Sequence, residues 1–292
     1  MKMTDEPYAV TGATGVQGGA LARILLDRDL PVRALTRNPS CPAAQALRDR
    51  GADIAHADFD DRLSLEAAFR GSRAVFLMGT PFGTDVDTEL KQGVTAVDAA
   101  VRAGVPHLVY SSVAHADRAT GVPHFDSKHE IESHLAASGL GWTVIGPAMF
   151  LDNFTGDWAA SQLHQGTLAL PLSSDRSLAV IGARDIAAMA ALALTSPERL
   201  HGRRIDIAGH MLTPLDMATA FTAAVGHPVT YQRVPDDIAR SYGPDIHAMF
   251  TYFDTVGLDV DTDALHRDFP EVGWHTMPQW LSTPDWSAAR RG

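Results

Sequence analysis

The 292 residues carry 35 acidic side chains against 24 Lys and Arg, a formal net charge of −11, with 45% hydrophobic and 20% charged positions. That balance suits a globular chain with one large domain, or a core and a smaller lobe, and the negative charge argues against nucleic acid or an anionic membrane as partner. One cysteine, Cys41, excludes an internal disulfide, the 13 histidines fall in no metal-ligand spacing, and neither a leader pattern nor a long apolar run is present, so a soluble cytoplasmic protein without a metal is expected.

YAVTG (8–12) predicts a first strand, and GGALARILLDRD (18–29) a helix with Leu21, Ile24, Leu25 and Leu26 on roughly one face. PVRALTR (31–37), ADIAHAD (52–58), AVFLMGT (74–80), HLVYSSV (107–113) and GWTVIGPAMF (141–150) read as strands two to six. Helices are predicted between them over 41–51, 62–72, 87–105 and 130–139. Such alternation predicts right-handed crossovers and an α/β fold with a doubly wound parallel sheet of the dinucleotide-binding kind. Strict alternation ends near residue 151. The expected division is a dinucleotide-binding domain over 1–150 and a smaller α/β substrate-binding lobe over 151–292, some of whose elements return to the sheet edge. In that half, 183–196, 213–226 and 244–257 read as helices, and 203–209 and 229–235 as strands. Thr213 is a cap, Gly226 a stop and Pro244 a helix start.

VTGATGVQGG joins the first strand to the first helix, with Gly12, Gly15 and Gly18 at three-residue spacing. Glycines there let the backbone turn tightly and approach a pyrophosphate held at the helix N-terminus. Gly12, Thr14, Gly15, Val16, Gln17 and Gly18 are therefore the candidate phosphate loop. An NAD site usually carries Asp or Glu at the end of the second strand. This chain has LTRNP, with Arg37 and Asn38 in that zone. A guanidinium pairs with a 2′-phosphate that a carboxylate would repel, so NADP(H) is expected in preference to NAD(H). Asp58 and Phe59, after the third strand, are placed to edge or cover an adenine; a loop cap is the other reading of Asp58.

These motifs, together with KQGVTAVDAAVRAGVPHLVYSSV, VPHFDSKHEIESHL, GPAMFLDNF, ARDIA, LTPLDMA and VGHPVTYQRVP, resemble the NmrA-like NAD(P)H-binding branch of the atypical short-chain dehydrogenase/reductase superfamily. The resemblance covers essentially the whole chain. It implies an extended Rossmann core with a small C-terminal substrate lobe, and either a reductase of quinones, dyes or aromatic compounds or a redox sensor that binds NADP(H) without turnover and works through a protein partner or a homodimer. It also implies that Gly79, Thr80 and Pro81 run along the cofactor, and that Ser111 or Ser112 lies in the active-site serine zone. Pro147 and Phe150 would pass the nicotinamide. Met149, Phe150 and Asn153 would face the substrate, and Phe250 belongs to a candidate apolar lid.

Typical members of the superfamily use Tyr-x-x-Ser-Lys-x-x-x-Glu. Here Ser127, Lys128 and Glu132 match, and His124 stands at the tyrosine position. The resemblance gives Lys128 the ribose contact. For the proton two readings stand: His124 is the general acid, or the acceptor is electrophilic enough to need none. A third reading is purely structural. Ser127-x-x-Glu130 forms a capping box, the helix starts at Ser127, and His124 precedes it, so that its i, i+4 relation to Lys128 is lost. The function expected is NADPH-dependent reduction of an electrophilic small molecule by hydride transfer.

Overall fold

A computed structural model describes residues 6–79, 85–283 and 286. The first half folds as β1 (Tyr8–Val10), α1 (Val16–Asp27), β2 (Val32–Thr36), α2 (Pro42–Asp49), β3 (Asp53–His56), α3 (Arg62–Phe69), β4 (Ala74–Met78), α4 (Val86–Ala103), β5 (His107–Ser111), α5 (Pro123–Ala137) and β6 (Gly141–Pro147). The second half adds β7 (Met149–Phe150), α6 (Asp157–His164), β8 (Thr167–Leu170), β9 (Leu178–Ile181), α7 (Ala183–Thr195), α8 (Pro197–Leu200), β10 (Arg203–Ile207), β11 (His210–Leu212), α9 (Pro214–Val225), β12 (Thr230–Arg233), α10 (Asp236–Ala239), α11 (Pro244–Thr255), α12 (Thr262–Asp268) and α13 (Met277–Trp280).

The chain forms two compact units. The first runs to Asp117 and adds His124–Gly146 and Ile186–Ile205. Its sheet has the order β3-β2-β1-β4-β5-β6-β10, and the pairings β3–β2, β2–β1, β1–β4, β4–β5 and β5–β6 are parallel. This is the doubly wound sheet with a seventh strand at one edge. Strand order reverses between β1 and β4, which opens a crevice at their carboxyl ends. The central strands are buried on both faces, β5 throughout and β4 up to the half-buried Met78 at its end, because helices cover both faces. Phe69, Leu77, Leu108, Ile131 and Leu135 anchor one core cluster, each at most 1% exposed; burying a side chain of that size contributes about 1.5–3 kcal/mol. Asp85 caps α4 by accepting from the Thr88 amide at 2.7 Å, and Gly104, at φ +70°, ends it.

The second unit comprises Arg118–Pro123, Pro147–Asp185 and the chain from Asp206 onward. It holds a three-stranded sheet, β11-β9-β7, and the parallel pair β12–β8. Rings of Phe154, Phe221, Trp286 and Trp280 follow one another at 5.1–5.5 Å through its core. Thr213 and Asp216 form a reciprocal capping box on α9, which Gly226 closes.

Two sequence expectations are corrected. The sixth strand does not continue through residue 150. It ends at Pro147, and Met149–Phe150 pair with Val180–Ile181 in the other sheet. The α5 helix does not start at Ser127. Pro123 opens it, four residues earlier, and the Ser127 hydroxyl donates to Glu89 and to the His124 carbonyl instead of capping a helix.

Candidate functional site

The first part of the site is the loop from β1 into α1. Thr11 fastens it to β4. Its amide and hydroxyl donate to the Phe76 carbonyl, both at 3.1 Å, and the hydroxyl accepts from the Met78 amide at 3.0 Å. The loop is thereby tied across the strand-order reversal. Gly12 turns the chain at φ +61°. A side chain at Gly18 would lie 2.4–2.6 Å from the backbone of Thr11 and Gly12, so only glycine lets α1 approach so closely. The N-cap of α1 is Gly15, which offers no side-chain oxygen, and the first turn holds no acidic residue. The leading amides and the positive end of the helix dipole are thus left to an external anion. Gly15 and Val16 are exposed there, and Thr14 is half-buried. Gln17 accepts a 2.7 Å bond from the Ser111 hydroxyl, which joins the loop to the end of β5.

Beyond β2, Arg37 and Asn38 are both exposed. Asn38 is engaged in its own turn. Its amide donates to the Thr36 hydroxyl and its side-chain oxygen accepts from the Ser40 amide, each at 3.1 Å. The guanidinium of Arg37 is the charged group of this corner. Asp58 serves as a turn residue, accepting from the Asp60 amide at 3.1 Å. Phe59 packs on the core and lines a small void with Gly79, Tyr110 and Ile131. Thr80 and Pro81 lie outside the described residues.

The second part is the facing ends of β4, β5 and α5. Ser111 and Ser112 are buried, and the Ser112 hydroxyl finds no partner among the described residues. His124, 5% exposed, and Lys128 share α5 one turn apart, and the His124 ring meets Phe125 edge-on at 4.7 Å. Lys128 is buried as well. Its ammonium forms an ion pair with Glu89 of α4 and reaches the Gly79 carbonyl at 3.5 Å. The other Glu89 oxygen accepts from the Ser127 hydroxyl at 3.0 Å. Glu89 is a residue the sequence reading passed over. Tyr110 does not replace the phenol missing at position 124. Burial, with the Glu89 and Glu132 carboxylates adding to it, holds its hydroxyl well above the usual tyrosine range, and that hydroxyl is enclosed.

In the second unit, Pro147 is buried, Met149 and Phe150 are half-buried on β7, and Asn153 is exposed. Phe250 lines a groove of about 340 Å³ with Pro171, Arg233, Asp236, His247 and Asp254. Its polar side chains are paired, Arg233 with Asp254 at 2.7 Å and His247 with Asp236 at 2.7 Å.

The sequence matches the NmrA-like family over residues 4–281. It is 32% identical over 231 residues to an NAD(P)H azoreductase of Xenophilus azovorans, covering 79% of this chain and 78% of that protein. It is also 32% identical over 235 residues to a (4-alkanoyl-5-oxo-2,5-dihydrofuran-3-yl)methyl phosphate reductase of Streptomyces griseus, covering 80% and 78%. Among solved structures, an NADPH-dependent quinone oxidoreductase of Escherichia coli complexed with NADPH superposes with a TM-score of 0.78 at 27% identity, over 94% of this chain and 98% of that one. The chain belongs to the NmrA-like family, and its relatives place it among the oxidoreductases of that family.

Proposed function

We propose that this chain is an NADPH-dependent reductase that delivers hydride to an electrophilic small molecule of the quinone, enone, imine or dye type. The observation that carries the reading is the pairing, within one unit, of an anion-ready loop with a buried lysine at the strand-order reversal. The glycine backbone and the uncapped amides of α1 fit a pyrophosphate, and Arg37 fits a 2′-phosphate. NADPH, when bound, supplies the hydride. Lys128 binds and orients the ribose beside the reacting ring, and the buried surroundings of Ser111, Ser112 and His124 keep water away from it. Met149, Phe150 and Asn153 are the substrate-facing candidates, and Phe250 is the candidate lid.

An electrophilic acceptor takes hydride without prior protonation, which suits a site whose usual phenolic acid is a histidine. The names of the azoreductase and the quinone oxidoreductase fit that acceptor class. NADPH oxidation against a para-quinone, a conjugated enone, a cationic dye and an azo dye tests the proposal. Turnover with at least one is expected, and His124→Gln is expected to keep it within about threefold, whereas loss of a general acid costs about 100-fold or more. Tight NADPH binding with no turnover would replace the reductase by a sensor.

A further inference from the structure

Glu89 carries a charge in a place built for small apolar side chains. The buried stripe of α4 runs Glu89, Gly93, Ala96 and Ala100, spaced by four, three and four residues, and faces the core. At Gly93 the helices touch so closely that a side chain would lie 2.4 Å from Ile131 of α5. Glu89 occupies the first position of that stripe and is 1% exposed. A buried carboxylate is costly unless paired and hydrogen-bonded, so packing alone gives no reason for it. Both of its oxygens are used, and both are used on α5. One takes the Ser127 hydroxyl, and the other takes the Lys128 ammonium. The same carboxylate borders the end of β4, where a Cβ added at Gly79 would lie 3.6 Å from it.

We infer that Glu89 is a positioning residue for Lys128. A lysine swings on four rotatable bonds and carries a compact charge. Here one carboxylate from a neighbouring helix fixes the direction of that charge and aims it past Gly79 at the end of β4. Ser127 in turn fixes the carboxylate. The inference rests on the reductase reading for its consequence, because Lys128 is the group that meets the cofactor ribose.

The test uses the full chain and four variants: E89Q, E89D, K128M and the neutral, near-isosteric double variant E89Q/K128M, which leaves no buried charge if a single variant fails to fold. With NADPH and 1,4-naphthoquinone, E89Q is expected to lower kcat/KM for NADPH at least tenfold while KM for the quinone stays within twofold, a split that general loosening of the fold would not produce. E89D is expected to recover at least a third of the loss. The double variant is expected to be no weaker than K128M, since both residues act through one group. Wild-type kcat/KM in E89Q, or a double-variant loss equal to the product of the single losses, overturns the inference. If NADPH binds without turnover, the same cycle is read on its dissociation constant. A cofactor-free measurement separates this inference from the functional reading. The shielded Lys128 ammonium should give a resolved 1H–15N correlation, absent in K128M and lost in E89Q. No such signal in the wild type, or its persistence in E89Q, overturns the Glu89 hold. A wild-type chain that shows the signal and binds no NADPH overturns the reductase reading and leaves the hold supported.

Discussion

A guanidinium gains two directed hydrogen bonds from a phosphate and little from a hydroxyl, which makes Arg37 the side chain to change. It is exposed at the end of β2, in the zone where a carboxylate would serve a 2′-hydroxyl. Arg37→Glu is expected to raise the NADPH dissociation constant at least tenfold and to leave NADH within about threefold, as read by nicotinamide fluorescence titration. A wild-type chain that binds the two equally would defeat the preference. Its neighbour Asn38 is neutral, and its side-chain oxygen already accepts from the Ser40 amide, so it offers a phosphate no charge. Glu89 is hard to single out from the sequence. Carboxylates on helices usually mark the wet face. The clue was its register with Gly93 and Ala96, and the same register puts Lys128 in line with Ile131 and Leu135 on α5.

At the scale of elements, two glycines of one motif do different work. An alanine at Gly15 would meet only the Gly12 carbonyl, at 3.4 Å, whereas at Gly18 it would press on three backbone atoms at 2.4–2.6 Å. Gly18→Ala is expected to cost about 2–3 kcal/mol and to lower the melting temperature by roughly 4–8 °C. It should also weaken NADPH binding. Gly15→Ala should stay within about 1 kcal/mol, and equal melting temperatures for the two variants would contradict the packing argument. Spacing made the motif legible, and strand–helix alternation made the first six strands legible, since each strand there is bounded by a helix with its own apolar face. The second half was less readable for a physical reason. β8, β9 and β11 are three or four residues long, too short to display a period, and unlike the equally short β1 and β3 they do not alternate with helices, since β8 leads directly to β9 and β10 to β11. Their partners are remote, β8 pairing with β12 some sixty residues onward, so tertiary contact defines them. The start of α5 was missed because Ser127 and Glu130 imitate a cap, while Pro123 supplies the actual start.

At the scale of the whole molecule, the chain leaves the sheet after β6 and returns as residues 186–205, which rejoin the first unit. Part of the return is held by a small polar node. Thr143 of β6 donates to the Leu200 carbonyl at 2.9 Å, so its oxygen must accept from His107 of β5, at 3.2 Å. That arrangement requires a proton on Nε2, which the neutral Nε2–H imidazole supplies. His201 lies 6.5 Å away, ring to ring, and accepts from the Trp142 amide. Burial first, and the neighbouring His201 second, lower the His107 pKa from 6.5 to about 4. The folded chain therefore refuses a proton that the unfolded chain takes up between pH 6.5 and 4. Stability contributed by this group is fully present above pH 6.5 and is lost as pH falls through that window. Asp185 acts in the opposite sense, since burial raises its pKa, so the total curve mixes both. The difference between wild type and His107→Gln isolates the histidine, because the glutamine amide can still donate to Thr143 but cannot titrate. Urea unfolding at steps from pH 7 to pH 4 should show the wild type losing about 2 kcal/mol more than the variant, after allowance for residual solvent. Parallel curves for the two proteins would mean that His107 takes up its proton as readily in the folded chain as in the unfolded one, and that burial does not suppress its charge.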